Sequence, residues 1–247
     1  MERADRAEAT EPRATVAGVT ASALLGAIAG YVDAVCLTRL FGVFPANQSG
    51  NAIALGVGIG RADWALAWRP AAAIGGFVAG VALAAAVRPR LPVAWRPRVL
   101  LGAELLGLAV VALVAGDVTA HAQVLEGTEA FVLLVLASIA MGVQTEVIRA
   151  HAGVSISTTY ETGALVTLTE TLTAHDGDGP RPSIRRAHHR AVLVLVLVIA
   201  GYVGGAALGA RAALDVGAAL AVPLLALVAL LLTTGAWSPV GQGRSMA

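Results

Sequence analysis

Charged side chains are scarce in this chain. Of its 247 residues only 13% are Asp, Glu, Lys or Arg, while 57% are hydrophobic. A soluble domain of ordinary composition has about a quarter charged residues, so the polar surface that a soluble globule needs is missing. This excludes a soluble enzyme and a disordered protein, and the net charge of +1 excludes a nucleic-acid-binding protein. With a single cysteine, Cys36, a disulfide framework and a cysteine-based metal site are excluded as well.

Long apolar runs take the place of that charge, and the mean hydropathy is +0.77. A helix crosses a bilayer with about 20 apolar residues. Six stretches meet this requirement: 15–40, 70–88, 98–116, 129–150, 190–210 and 214–234. Two shorter apolar pieces, 52–60 and 163–173, follow polar runs, and nine helical residues span only about 14 Å. We interpret them as re-entrant half-helices, and we predict an all-α membrane protein with six transmembrane helices and two half-helices.

The arginine positions favour this topology over one in which the short pieces cross fully. If the tail 1–14 is cytoplasmic and the short pieces are re-entrant, nine arginines near the span ends lie inside and four outside. Full crossings would place six inside and seven outside, against the positive-inside rule. Both termini, including the tail 235–247, are therefore predicted to be cytoplasmic, and the loop 117–128 to be external.

An internal repeat relates residues 15–116 to residues 129–234. The segments IGGFVAGVALAA (74–85) and IAGYVGGAALGA (199–210) are identical at seven of twelve positions. The polar break 44–51 aligns with the break 155–163, and AGYVDA aligns with AMGVQT, 111 residues later. Each half has three crossings, so the second half is predicted to be inverted (3+3). Inverted repeats with broken helices are typical of secondary transporters, whose sites lie at the midplane between the repeats.

The two polar breaks are the candidate substrate-binding site. Backbone of irregular conformation persists at membrane depth only inside protein or beside a water-filled cavity. Ser49 and Thr162 occupy the same repeat position and are interpreted as helix N-caps. Two half-helix N-termini that meet at the midplane would favour an anion; the alternative is two capped loops at the bilayer surface. The predicted binding residues are Asn47, Ser49, Gly50, Asn51, Thr159, Thr162 and Gly163.

Asp33 and Glu104 are carboxylates inside apolar spans, which makes them functional candidates by default. We predict a coupling or gating role for Asp33, for its repeat partner Gln144 and for Glu104. The structural alternatives are that Asp33 caps the neighbouring half-helix and that Glu104 is hydrogen-bonded inside the bundle. We find no catalytic motif and predict no enzyme activity, no metal and no cofactor. Pairs of small residues at helical spacing predict close packing within the bundle, and a homo-oligomer is the second option.

The run GYVDAVCLTRLFGVFPANQSGNAIALG (30–56) carries a family resemblance. It is similar to the first signature of the YoaK-like bacterial inner-membrane proteins, through Gly30, Asp33, Ala34, Gly42, Phe44, Asn47, Ser49, Gly50 and Asn51. The second signature falls on Gly142, Gln144 and the segment from Ser157 to Gly163. The resemblance implies a polytopic protein of the bacterial inner membrane and no established substrate.

The functional prediction is a secondary transporter or exporter of a small, plausibly anionic solute. A passive channel on the same fold is one alternative. A membrane scaffold or partner subunit that transports nothing is the other. The predicted partners are the lipid bilayer and an unidentified small molecule, with no nucleic acid.

Overall fold

The computed structural model describes residues 16–120, 127–151, 182–212 and 216–234, together with Thr169 and Thr173. These residues form helices and short connections, with no β-strand among them. The helices are α1 (Val16–Val35), α2 (Gln48–Gly60), α3 (Trp64–Val87), α4 (Arg96–Ala120), α5 (Gly127–His151), α6 (Pro182–Ala212) and α7 (Val216–Thr233). Five of them, α1 and α3 to α6, are long and apolar enough to cross a membrane. The sixth predicted span corresponds to α7, whose apolar part, Ala218–Thr233, is shorter.

Several helices are longer than their predicted spans. Helix α3 begins at Trp64 instead of residue 70, and α6 begins at Pro182 instead of residue 190. Helices α4 and α5 leave only residues 121–126 between them, so the predicted loop 117–128 is shorter than expected. Hydropathy marks only the part of a helix that lies in hydrocarbon, whereas arginine and tryptophan extend the helix into the interface.

A sharp reversal follows α1. The helix continues as a π-helical turn, Cys36–Leu40, and the carbonyl of Cys36 accepts hydrogen bonds from the amides of Phe41 and Gly42 at 2.8 and 3.1 Å. Gly42 has a φ of 70°, a left-handed conformation that glycine adopts without steric cost. The chain therefore turns back toward α1 before α2 begins.

Glycines bring α1 and α6 into backbone contact. A Cβ atom built at Gly26 would lie 2.9 Å from the carbonyl oxygen of Val198, and one at Gly30 would collide with the carbonyl of Tyr202. The residue numbers of the contacting partners increase together along both helices, so the two helices run parallel. Helices α3 and α5 pack in the same way, since a Cβ at Gly76 would lie 2.8 Å from the carbonyl oxygen of Val135. The prediction that the small-residue pairs pack within the bundle is confirmed.

Three glycine contacts are shared between the two helix pairs. Three contacts of α1 with α6 recur between α5 and α3: Gly30–Tyr202 as Gly142–Phe77, Ala27–Gly205 as Ile139–Gly80, and Ala23–Gly201 as Val135–Gly76. Positions on α1 precede their counterparts on α5 by 112 residues, and positions on α3 precede theirs on α6 by 125. The offset of 125 agrees with the sequence alignment, whereas the offset of 111 for α1 is wrong by one residue. With the offset of 112, the position equivalent to Asp33 is Thr145, and the position equivalent to Gln144 is Val32.

Candidate binding site at the first helix break

The break between α1 and α2 is fastened to α1 by Asp33. The carboxylate accepts hydrogen bonds from the amides of Ala46 and Asn47, at 2.7 and 3.0 Å to Oδ1 and Oδ2. The hydroxyl of Tyr202 on α6 donates a third bond, of 2.6 Å, to Oδ2. Asp33 is buried and lies seven residues before Leu40, the last residue of the π-helical turn that continues α1, which places it about 10 Å along the helix from that end. The start of α2 is therefore held well inside the bundle.

The N-cap of α2 is Asn47, so the prediction that Ser49 is the N-cap is wrong. The side-chain oxygen of Asn47 accepts the amide of Gly50 at 3.3 Å. Ser49 lies inside the first turn, and its hydroxyl donates to the same Asn47 oxygen at 2.7 Å. Asparagine and serine are both good N-cap residues, so the pattern NQSGN alone does not decide between Asn47 and Ser49. Asp33 decides it by fixing the extended backbone at Asn47.

Asn51 fixes the conformation of the loop from the α2 side. Its Oδ1 accepts the amide of Phe44 at 3.0 Å, and its Nδ2 donates to the Phe44 carbonyl and to Oε1 of Gln48. Asn51 has no exposed surface. The ring of Phe44 covers Gly50, where a Cβ would lie 2.8 Å from Cε2. Asn51 and Gly50 therefore shape the loop, and their contact with a solute stays a prediction.

Polar side chains at the start of α2 remain accessible at the depth of Asp33. Ser49 is exposed and Asn47 is half-buried, and both lie at the α2 terminus that Asp33 holds inside the bundle. Exposed polar side chains beside irregular backbone at membrane depth need a water-filled cavity or protein to cover them. Of the predicted binding residues, these two present hydrogen-bonding groups to the space beside the break.

The amides at the start of α2 already have an anion. A helix N-terminus attracts negative charge through its free N–H groups and its dipole. The carboxylate of Asp33 accepts the amides of Ala46 and of the N-cap residue Asn47, the two residues that directly precede α2. The structural alternative for Asp33, that it caps the neighbouring half-helix, therefore describes the contacts observed. Whether Asp33 also has a coupling role remains a prediction.

A second polar pair lies between α4 and α5. Gln144 Nε2 donates to Glu104 Oε1 at 2.8 Å, and both side chains are buried. The other carboxylate oxygen, Oε2, has no hydrogen-bond partner in the described part of the chain. Near the end of α5, Glu146 is paired with Arg88 at 4.0 Å. Two of the predicted coupling residues, Gln144 and Glu104, thus meet each other, whereas Asp33 meets Tyr202.

Two contacts at the first break were not predicted. The first is the bond from Tyr202 to Asp33. Tyr202 aligns with Phe77 in the repeat, and the hydroxyl that Phe77 lacks is the signal that could have identified this contact. Arg69 donates to the carbonyl of Phe41 at 3.3 Å, which joins the start of α3 to the reversal after α1. Thr159, Thr162, Gly163 and nearly all of the second half-helix lie outside the described residues. No cluster of three His, Cys, Asp or Glu that could hold a metal occurs within the described ranges.

Comparison with known proteins gives a family and no function. A family model described as "Protein of unknown function (DUF1275)" matches residues 21–233, and the chain belongs to this family. The YoaK-like resemblance is consistent with it. Neither the curated proteins nor the solved structures include a match to the chain.

Proposed function

We propose that this member of the DUF1275 family is a secondary transporter or exporter of a small polar solute, a carrier and not an enzyme. One observation carries the proposal. The start of α2, with exposed Ser49 and half-buried Asn47, is tied to a buried carboxylate about 10 Å below the end of the π-helical turn that continues α1. A scaffold has no need of an open polar helix terminus at that depth, whereas a carrier binds its solute there.

The proposed topology has six crossings, with α2 re-entrant and α7 as the last crossing. Helix α2 has 13 residues, too few for a crossing of about 20. The contact of Arg69 with Phe41 supports a return of the chain to the face at which α1 ends. Arg88, Arg90, Arg96 and Arg98 cluster at the opposite end of the bundle. The positive-inside rule makes that end cytoplasmic, with both termini, in a bacterial inner membrane.

We propose an inverted 3+3 repeat as the basis of alternating access. The recurrence of the α1–α6 glycine contacts between α5 and α3 supports it, because an internal two-fold axis relates contacts in this way. Each pair joins one helix from the first half of the chain to one from the second half. Close backbone contact makes each pair a rigid body, and rocking of rigid bodies around a fixed site is how such carriers work.

The first break now favours a hydrogen-bonding solute over an anion. The carboxylate of Asp33 already lies at this terminus, where it accepts the amides of Ala46 and the N-cap Asn47, and its charge repels a second anion. What the break offers is the hydroxyl of Ser49 and the amide of Asn47. An anionic solute would have to bind mainly through the second break, with Thr159, Thr162 and Gly163 as its proposed contacts.

The test is a thermal-shift screen of the purified protein in detergent against small neutral polar solutes, carboxylates and inorganic anions. A solute that binds the folded state raises Tm with dose. Ser49→Ala is expected to remove the shift, while Thr128→Ala, an exposed hydroxyl at the start of α5, keeps it. Each solute that binds is then tested for counterflow in proteoliposomes. Binding without counterflow, or a flat screen, would overturn the transport proposal in favour of the scaffold.

A further inference from the structure

The carboxyl group of Glu104 is buried without a cation. It has no exposed surface, and it lies eight residues after Arg96, about 12 Å along α4. An isolated ionised carboxylate in an apolar bundle is costly unless it is paired or takes up a proton. Glu104 has one neutral partner, Gln144, and an unpartnered Oε2 in the described part of the chain.

On the packed helices, no ionisable side chain that the structure describes is paired with Glu104. Helix α4 packs on α5 and α7, and α7 carries no ionisable residue. On α5, Glu129 lies in the first turn, far from Gln144, and Glu146 is paired with Arg88; Arg149 and His151 have side chains outside the described set. On α4, Arg98 donates to Thr234, and Asp117 lies near the other end.

We propose that Glu104, positioned by Gln144, is the proton-binding site of this protein. A proton from water forms an O–H bond at Oε2, and the side chain changes from −1 to neutral. The amide of Gln144 donates to Oε1 and so leaves Oε2 as the oxygen that takes the proton. The Asp33 carboxylate differs, because two backbone amides and the Tyr202 hydroxyl already donate to it. Three donors stabilise the ionised form of Asp33, whereas Glu104 has one.

This inference rests on the proposed function for its second part, that the proton drives transport. Protonation removes a buried charge at the contact of α4 with α5. Helix α5 is also in backbone contact with α3 through Gly142 and Gly76. A change in the packing of α4 on α5 would therefore move the rigid pair of α3 and α5. Proton binding and solute movement would then be linked through a single helix.

The proton is measured first, without any solute. Infrared difference spectra of the protein in lipid nanodiscs, acid minus alkaline, are expected to contain a carboxylic C=O stretch that shifts in heavy water. Glu104→Gln is expected to lose this band, since glutamine keeps the shape and the acceptor of the neutral acid. Gln144→Leu is expected to keep the band at higher frequency, because a hydrogen bond to the carbonyl is lost. Glu129→Gln, an exposed acid on α5, is the matched control and leaves the band unchanged.

A band that survives in Glu104→Gln and disappears in Asp33→Asn would overturn the assignment. The assignment would also be overturned if Gln144→Leu shifted none of the carboxylic bands. This second measurement keeps the test valid if Glu104→Gln does not fold. Coupling is measured separately, with a solute found in the thermal screen. Glu104→Gln is expected to keep counterflow and to lose accumulation driven by a pH gradient. If no solute shows counterflow with the unmodified protein, transport is refuted while the proton-binding site at Glu104 is not. The two proposals therefore fail in different experiments.

Discussion

Tyr202 donates a hydrogen bond of 2.6 Å to the carboxylate of Asp33, across 169 residues of sequence. The bond joins α6 to the same carboxylate that holds the start of α2. One side chain of the second half of the chain thereby helps to position the candidate binding site of the first half. The repeat counterpart of Tyr202 is Phe77, which has no hydroxyl, so this link exists on one side of the bundle only.

Asp33→Asn is expected to lower the free energy of unfolding by about 1.5–3 kcal/mol, the range for a buried hydrogen bond to a charged group. An asparagine oxygen replaces only one of two acceptors, and its NH₂ group faces a backbone donor. Tyr202→Phe removes a single donor and should cost less. The measurement is thermal or denaturant unfolding in detergent, with the double variant included. Additive effects would contradict the contact, because partners in one network give a non-zero coupling energy.

Gly205→Ala is expected to separate α1 from α6. The added Cβ would collide with the carbonyl of Ala27, which is backbone and cannot rotate away. Overpacking of this kind costs about 1–3 kcal/mol. Gly204→Ala is the control, since nothing lies within 4 Å of its added Cβ. Comparable Tm values for the two variants would show that the helices are not in backbone contact.

Asn51→Ala and Ser49→Ala are expected to differ in kind. Asn51→Ala leaves the part-buried amide and carbonyl of Phe44 without their partner, and the cost is expected at the low end of the about 1–3 kcal/mol for an unsatisfied buried group. Ser49→Ala removes an exposed hydroxyl and should change Tm little. Any ligand-induced rise in Tm is expected to disappear in Ser49→Ala. If Ser49→Ala destabilised the protein as much as Asn51→Ala, the hydroxyl would be structural and not a solute contact.

Cysteine labelling tests the re-entrant course of α2. Cys36 is buried and gives little background. With a membrane-impermeant maleimide added to intact cells, Arg39→Cys and Arg61→Cys are expected to react, because the proposed topology places the end of the π-helical turn and the end of α2 on the external face. Ala94→Cys, between α3 and α4, is expected to react only after the membrane is opened. Reaction of Arg39→Cys without Arg61→Cys would mean that α2 crosses the bilayer.

Composition and hydropathy determined the membrane class, because a chain with 13% charged residues cannot cover a soluble surface. They also located the apolar helices and the polar break, since each rests on local properties of consecutive residues. The aligned offset of 125 residues between α3 and α6 recurs in the glycine contacts of the two helix pairs. The aligned offset of 111 for α1 and α5 differs by one residue from the 112 of those contacts, since apolar, glycine-rich segments align almost equally well in neighbouring registers.

Only the tertiary structure decided which polar groups meet. Asp33 could have had a coupling role or capped the neighbouring half-helix, and the sequence is compatible with both. Packing of α6 on α1 brings Tyr202 to Asp33, and the reversal at Gly42 brings the amides of Ala46 and Asn47 there. The reason is physical: periodicity gives each side chain a face of its own helix. The neighbour on that face is set by contacts between segments that lie far apart in the chain.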